Sequence, residues 1–376
     1  MDTFADEQLR YRIAFSNIKG INRLLAENLV SLTGDVSVFF TLSQHELSEL
    51  TGWDSSLFSE VERGRALRMA TDEVAFIRKK GITPIFFTDA DYPQRLLECD
   101  DAPIMLYYKG DNAALQAQHV VSIVGTRHAT PYGKNFVDAF VRDLSQLCPD
   151  TLIVSGLAYG IDIAAHRAAI RYGLPTVAVM AHGLNTIYPA QHRSTAIEIL
   201  DRGGLLTEYA SSQATHKGFF LARNRIVAGL ADAVVVVESG VKGGSLFTAH
   251  IAGDYHRDVF ALPGRVGDIS SMGCNNLIRN NKAALITCAD DMVEAMGWVT
   301  HRTAPIQAPL ASCNAVPLTE EEQVIINYLS AHEEGQINRM AVELNIPIAT
   351  LSAILVELEF KGCVTVLPGG VYRRIF

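Results

Sequence analysis

Five basic residues, Arg127, Lys217, Arg223, Arg225 and Lys242, fall in loops that each follow a run of apolar, β-prone residues. The first sits in "SIVGTRHATPYG", residues 122–133, where an apolar strand meets Gly125, Thr126 and Arg127 before a helix begins. A turn that only reverses the chain needs the glycine and has no use for a guanidinium at its tip. An oxyanion needs all three: Gly125 permits the tight turn, Thr126 donates a hydrogen bond, and Arg127 grips a phosphate through two parallel N–H groups. Similar loops recur as "SGLAYGID", with Ser155 and Gly156, as "AHGLNTIYP", and as "ESGVKGGSLFTA", with Lys242, Gly243, Gly244 and Ser245. Glycines and small hydroxyl residues let the backbone approach an anion, and helix N-termini add aligned N–H donors. A single arginine in such a loop more often pairs with a carboxylate. Five cations in loops of one kind argue for an anion site.

The kind of anion follows from what is missing and from one dense segment. The phosphate-loop pattern G-x-x-x-x-G-K-S/T is absent, because "GVKGGS" puts its lysine before the glycine pair, and no G-x-G-x-x-G follows a strand. "HKGFFLARNR", residues 216–225, sets Lys217, Arg223 and Arg225 beside Phe219, Phe220 and Asn224. Rings next to cations suit a base stacked on an aromatic face while its phosphate is held alongside. Aromatic pairs at a strand–helix junction are usually core, so one of Phe219 and Phe220 is expected to stack and the other to pack. The overall net charge of −9 excludes a chain that coats nucleic acid over its whole surface but allows a local track. Residues 211–225 carry three cations and no acid, which places that track in the middle of the chain.

The elements that must position these loops are legible as three textures. Residues 1–80 read as short-looped helices resembling helix-hairpin-helix or sterile-alpha-motif-like units, taken here as packing or partner elements rather than a phosphate-binding hairpin. Residues 81–299 alternate apolar strands with amphipathic helices, the pattern of an α/β, Rossmann-like, doubly wound, mostly parallel sheet, with 81–110 adding edge strands. Residues 300–317 are rich in Ala, Pro, Ser and Thr and read as a linker. Residues 318–376 read as three helices and a two-strand hairpin turning at Pro368-Gly369-Gly370, a winged helix-turn-helix. No apolar run is of membrane-spanning length, "IVAGLADAVVVVE" being broken by Asp232, and "MDTFADEQLRYRIAF", without a basic n-region and an apolar h-region, is not expected to be a signal peptide. The six cysteines are scattered without metal-ligand spacing, as expected for reduced thiols in a cytoplasmic protein with no membrane partner. No cofactor and no metal site is expected.

Two enzymatic alternatives rest on particular residues. Asp162 and His166 stand one helical turn apart in "IDIAAH", a spacing that acid–base work or a metal could use, but no third ligand is placed by spacing. A nucleotide N-glycosidase of the phosphoribohydrolase kind would need a carboxylate over the ribose, for which Glu208 or Glu238 at a strand end are the candidates.

Taken together, "GTRHATPYG", "VSGLAYGIDIAAH", "HGLNTIYPAQH", "GGLLTEY", "FFLARNRIVAGLADAVVVVES", "KGGSLFTA", "FALPG" and "GCNNLIRNNKAALI" resemble the DNA-processing protein A (DprA/Smf) family over about residues 110–296. The resemblance implies a non-enzymatic protein that binds and protects incoming single-stranded DNA during natural transformation. It further implies help in loading RecA recombinase and a homodimer joined through the Rossmann-like domain. It places Thr126 and Arg127 in the family's G-S/T-R phosphate loop, and Ser155 and Gly156 at the opening of its second glycine loop. Lys217 and Phe220 fall in the segment before R-N-R, which is Arg223, Asn224 and Arg225, and Lys242, Gly243, Gly244 and Ser245 form the loop after the next strand. Leu221 replaces the usual proline of F-P-x-R-N-R, and "KGGS" stands where many members have K-S-G-S. The C-terminal unit departs from duplex readers: residues 319–376 hold 4 Lys+Arg against 8 Asp+Glu, so it is expected to contact protein or its own chain.

Overall fold

The computed structural model describes residues 3–214, 216–300, 318–332, 334–367 and 370–375. The chain divides into two compact units, Met1–Arg302 and Thr303–Phe376. Residues 301–317, nearly all of the expected linker, and two of the three residues of the expected turn, Pro368 and Gly369, lie outside the described residues.

Local signals start the first helices: α1 (Thr3–Ser16), α2 (Arg23–Thr33), α3 (Val38–Thr41), α4 (Gln44–Thr51) and α5 (Glu60–Lys80). The Asn22 side chain accepts the Leu25 N–H at 2.9 Å, and Ser43 and Glu46 cap α4 reciprocally. In α5, acids fill the first turn and Arg78, Lys79 and Lys80 the last, each complementing the helix dipole. The buried Arg63 guanidinium donates to the carbonyls of Phe39 (2.6 Å) and Leu42 (2.7 Å), tying α5 to α3. These helices do not close a core of their own. Ile13, Phe15, Phe39 and Ile77 belong to one apolar cluster with Leu106, Tyr108, Val154 and Val236 of the sheet, so the boundary expected at residue 80 falls inside the first unit.

Strands and helices then alternate: β1 (Thr83–Phe86), α6 (Gln94–Leu97), β2 (Met105–Gly110), β3 (His119–Gly125), α7 (Pro131–Leu147), β4 (Thr151–Ser155), α8 (Ile161–Tyr172), β5 (Thr176–Val179), α9 (Arg193–Ile199) and β6 (Gly204–Thr207). They continue as α10 (Lys217–Ala222), α11 (Asn224–Gly229), β7 (Ala233–Val237), α12 (Gly244–Asp254), β8 (Asp258–Ala261), α13 (Met272–Arg279), β9 (Ala284–Leu285) and α14 (Ala289–Ala295). The nine strands lie in the order β1-β2-β6-β5-β4-β3-β7-β8-β9. All pairings from β6 to β9 are parallel, and the expected edge strands β1 and β2 are added antiparallel.

Strand alternation assigns side chains to the two faces. In β3, Val120 and Val124 join the cluster shared with α1, α5 and α11, while Val121 and Ile123 join the cluster under α7, α8 and α14. Helix α7 starts on Thr130 with Pro131 in its first turn, and its face of Val137, Phe140, Val141, Leu144 and Leu147 is buried against that second cluster. Each of those side chains contributes about 1.5–3 kcal/mol, and Phe140→Ala would cost about 3–5 kcal/mol. The chain leaves β3 toward β4 on one side and reaches β7 on the other. The topological switch point, where doubly wound sheets open a crevice, therefore lies beyond the C-terminal end of β3, at Gly125.

The second unit holds α15 (Glu320–His332), β10 (Glu334–Gln336), α16 (Ile337–Glu343), α17 (Ile348–Phe360), β11 (Val364–Leu367) and β12 (Val371–Arg374). Its sheet has three strands, β10-β12-β11, one more than the hairpin read from the sequence. The added strand, Glu334-Gly335-Gln336, is too short and polar to show an apolar period.

Candidate nucleic-acid interface

The loop after β3 is held from both sides. The Thr126 N–H donates to the Glu238 carbonyl at the end of β7 (2.7 Å), and the Ile161 N–H at the start of α8 donates to the Thr126 carbonyl (3.2 Å). This approach excludes side chains: a Cβ on Gly125 would stand 1.9 Å from the Val237 carbonyl oxygen, and one on Gly160 2.1 Å from that of Thr126. The Glu238 carboxylate, buried, accepts the Thr130 N–H (2.9 Å) and hydroxyl (2.5 Å), fixing the start of α7. Within this frame Arg127 is exposed, and the Thr126 hydroxyl accepts the His128 N–H (3.2 Å), which leaves its own proton for another acceptor.

The crevice at the switch point is a cleft of about 500 Å³. Gly125, Thr126 and Arg127 form one wall, Lys217, Phe220 and Asn224 another, and Gly243, Gly244 and Ser245 a third. The Arg127 guanidinium lies 5.9 Å from the Phe220 ring centroid, and Tyr188 meets the same ring edge-on at 5.7 Å. Phe219 instead stacks on Tyr209 at 4.2 Å, away from the cleft wall. The segment that leads to Lys217 is anchored from α5: the buried Glu73 carboxylate accepts both the N–H (2.9 Å) and the hydroxyl (2.6 Å) of Ser211.

Not every cation expected at the rim is available there. Arg223 is 4% exposed; its guanidinium donates to the Gly156 carbonyl (2.8 Å) and to the Val179 carbonyl, pinning the ends of β4 and β5 together beneath the cleft. Burial lowers its pKa, an effect that Asp162 opposes. Arg225 turns the other way, into a part-buried ion pair with Glu208 and, at 3.8 Å, Asp101. Ser155 is buried, its hydroxyl spent on the Ile123 carbonyl (2.6 Å), and Gly156 is covered by Arg223. Ser155, Arg223 and Arg225, expected at the strand, are thus engaged with the protein's own groups, although Arg223 still lines the cleft. The Ser245 hydroxyl donates to Ser239 Oγ (2.9 Å), and Lys242 is exposed but does not line the cleft. Tyr188 was missed as a wall residue. It lies in "HGLNTIYP", a strand-end loop without a cation, so a search for basic residues passes it by.

The enzymatic candidates are occupied too. Glu208 is taken up by Arg225 and Glu238 by Thr130. His166 is fully buried; Thr176 donates its hydroxyl proton to the Ile153 carbonyl, so His166 Nδ1–H donates to Thr176 at 2.8 Å and Nε2 is left bare. Burial and the Arg223 charge press its pKa down to about 3, so it remains neutral. Asp162 holds the loop before its helix by accepting the Ala158 N–H (3.4 Å), and burial pushes its carboxyl up. Among the described residues, no three His, Cys, Asp or Glu side chains are grouped to hold a metal.

A family model described as DNA recombination-mediator protein A matches residues 83–297, and one described as the DprA winged helix domain matches 309–370. The chain is 31% identical to Protein Smf of Synechocystis over 98% of its own length and all of that relative. The solved structure of DNA processing protein A from Streptococcus pneumoniae is similar with a TM-score of 0.64 at 32% identity, covering 76% of this chain and 97% of that one. DNA processing protein A from Helicobacter pylori, in a structure described as giving insight into a unique single-stranded DNA binding mode, is similar with a TM-score of 0.52 at 31% identity, covering 57% of this chain and 95% of that one. With more than half of its length matched by the first family model and a relative aligned from end to end, the chain belongs to the DNA recombination-mediator protein A (DprA/Smf) family.

Proposed function

We propose that this chain binds single-stranded DNA in the cleft at the switch point of its sheet, without chemistry on the strand. The observation that carries the reading is the pairing of a phosphate-gripping group with a stacking ring: Arg127 over Phe220, with Lys217 at the start of the same short helix. A base laid on the Phe220 ring brings its phosphate to Arg127 and Lys217, while the glycine loops let the sugar-phosphate chain lie close to the backbone. A cleft walled by one ring and small loops fits an unpaired strand better than a duplex, whose bases are already stacked on one another. In the cell, the family resemblance supports protection of incoming strands during transformation, delivery of the strand to RecA, a cytoplasmic location, and action as a homodimer joined through the first unit.

Fluorescence anisotropy with oligo-dT and with a duplex, repeated across salt concentrations, tests the reading. Arg127→Ala and Lys217→Ala should each weaken single-strand binding and flatten the salt slope by about 0.7. Affinity unchanged in both variants and in Phe220→Ala would remove this cleft as the binding site. Release of base from nucleoside monophosphates at an enzymatic rate would restore the glycosidase reading.

A further inference from the structure

A second concave surface, of about 740 Å³, lies between the solvent faces of α7 and α8. Arg127 lines both it and the cleft, so one begins where the other ends. Lys134, Asp138 and Arg142 edge it from α7 at intervals of four residues, and Arg167 and Arg171 edge it from α8 at the same interval. That interval stacks side chains on one helix face about 6 Å apart. The floor is alanine: Ala139, Ala164 and Ala168.

The charges do not cancel. Arg171 is paired with Asp138, and Arg142 with Asp143 (2.8 Å). Arg127 and Lys134 are exposed with no carboxylate partner among the described residues, and Arg167 makes one hydrogen bond, from Nε to the Thr195 hydroxyl (3.3 Å). Three cations are therefore uncompensated along one wall-to-wall track. Tyr159 lines it too, 40% exposed, with its hydroxyl donating to Gln191 Oε1 (2.6 Å).

We propose that this groove carries the bound strand onward from the cleft, Lys134 and Arg167 holding the phosphates of nucleotides that flank those at Phe220. The inference rests on the single-strand reading of the cleft. Charge complementarity and the shared Arg127 select a polynucleotide: a protein partner would need several apolar anchors, and apart from Tyr159 at one place and the nearly buried Ile163 the apolar lining is alanine. From Lys134 to Arg142 the track runs about 12 Å, at 1.5 Å per residue. That accommodates roughly three nucleotides at the stacked spacing of about 3.4 Å.

The test compares oligo-dT of about 4 nucleotides with oligo-dT of about 12, both within the usual range of single-strand site sizes. It uses the full chain carrying Lys134→Glu with Arg167→Glu, and in parallel the milder Lys134→Gln with Arg167→Gln, with thermal melts to show that the fold is kept. The expected result is a loss of about tenfold or more for the longer strand in the Glu pair, a smaller loss in the Gln pair, and a change under about twofold for the shorter strand. Equal affinity of wild type and both pairs for the longer strand overturns the groove while leaving the cleft intact. Equal losses on both lengths, or a loss confined to duplex, overturn it as well. Failure of the cleft reads out separately, as short-strand binding that ignores Arg127→Ala and Phe220→Ala.

Discussion

The Arg127 guanidinium sits over the Phe220 ring, joining the loop after β3 to the helix α10 that follows β6. Neither residue alone defines a nucleotide site. Together they place a positive charge and a π-face within one nucleotide's reach, the guanidinium 5.9 Å from the ring centroid in one cleft.

This coupling is measurable. Arg127→Ala and Phe220→Ala should each weaken oligo-dT binding, Phe220→Ala by about 1–3 kcal/mol if one base stacks. The double variant should fall short of the summed losses by about 0.5–2 kcal/mol, because each substitution already removes the cation–ring contact. Strict additivity in anisotropy titrations would mean that the two groups act on separate parts of the ligand.

Arg223 should behave as a structural residue despite its place in R-N-R. Replacing it with Met leaves the buried carbonyls of Gly156 and Val179 without a donor, at about 1–3 kcal/mol for each unsatisfied group. Gly156→Ala should act through the same contact, since the new Cβ would stand 2.3 Å from the Arg223 Nη2. Both variants are expected to lower the melting temperature, with strand binding lost in step with stability. A variant that melts like wild type yet loses strand affinity would return Arg223 to the ligand.

His166 predicts an acid-labile fold rather than a pH-dependent activity. Its pKa is about 6.5 unfolded and is pressed to about 3 in the fold, so the unfolded chain takes up a proton that the folded chain refuses. The contribution is whole above about pH 6.5 and is lost progressively as the pH falls toward 3. His166→Leu should flatten the stability profile over that window, read by denaturant titration at several pH values. A pH optimum of strand binding that moved with this substitution would instead tie His166 to the ligand.

Much of this was legible because the signals were periodic or local. Continuous apolar strands separated by amphipathic helices specify the doubly wound sheet, and Gly125 and Arg127 mark a strand-end loop suited to an anion, but that this loop is the switch point follows only from the strand order. The environment of each cation was not legible. Arg127 and Arg223 are alike in type and both lie in segments that follow a strand, yet one is exposed and the other is 4% exposed, a difference set by the Gly156 and Val179 carbonyls that hold Arg223 from distant parts of the chain. The same holds for Glu73, whose grip on Ser211 joins parts of the chain that no spacing rule connects. The helices of residues 1–80 are legible individually, but their apolar faces continue into the sheet's core, which a change of texture along the chain does not reveal.

The C-terminal unit yields the last prediction. Its would-be recognition helix α17 exposes Glu357 and Glu359, and the lysine that follows is already committed: Lys361 donates to Glu322 at 2.6 Å, and that bond holds the Glu322 carboxyl below its usual range. In the wing strands, Arg373 is paired with Glu334, and Arg374 donates to the Ser330 hydroxyl (2.5 Å). Phosphate binding by this unit would have to break pairs or overcome like charge. Removing residues 318–376 should therefore change oligo-dT affinity by less than about tenfold and leave the salt slope nearly as steep. A larger loss, in a truncated chain whose melt still matches that of the first unit, would show that the winged helix carries part of the strand's footprint.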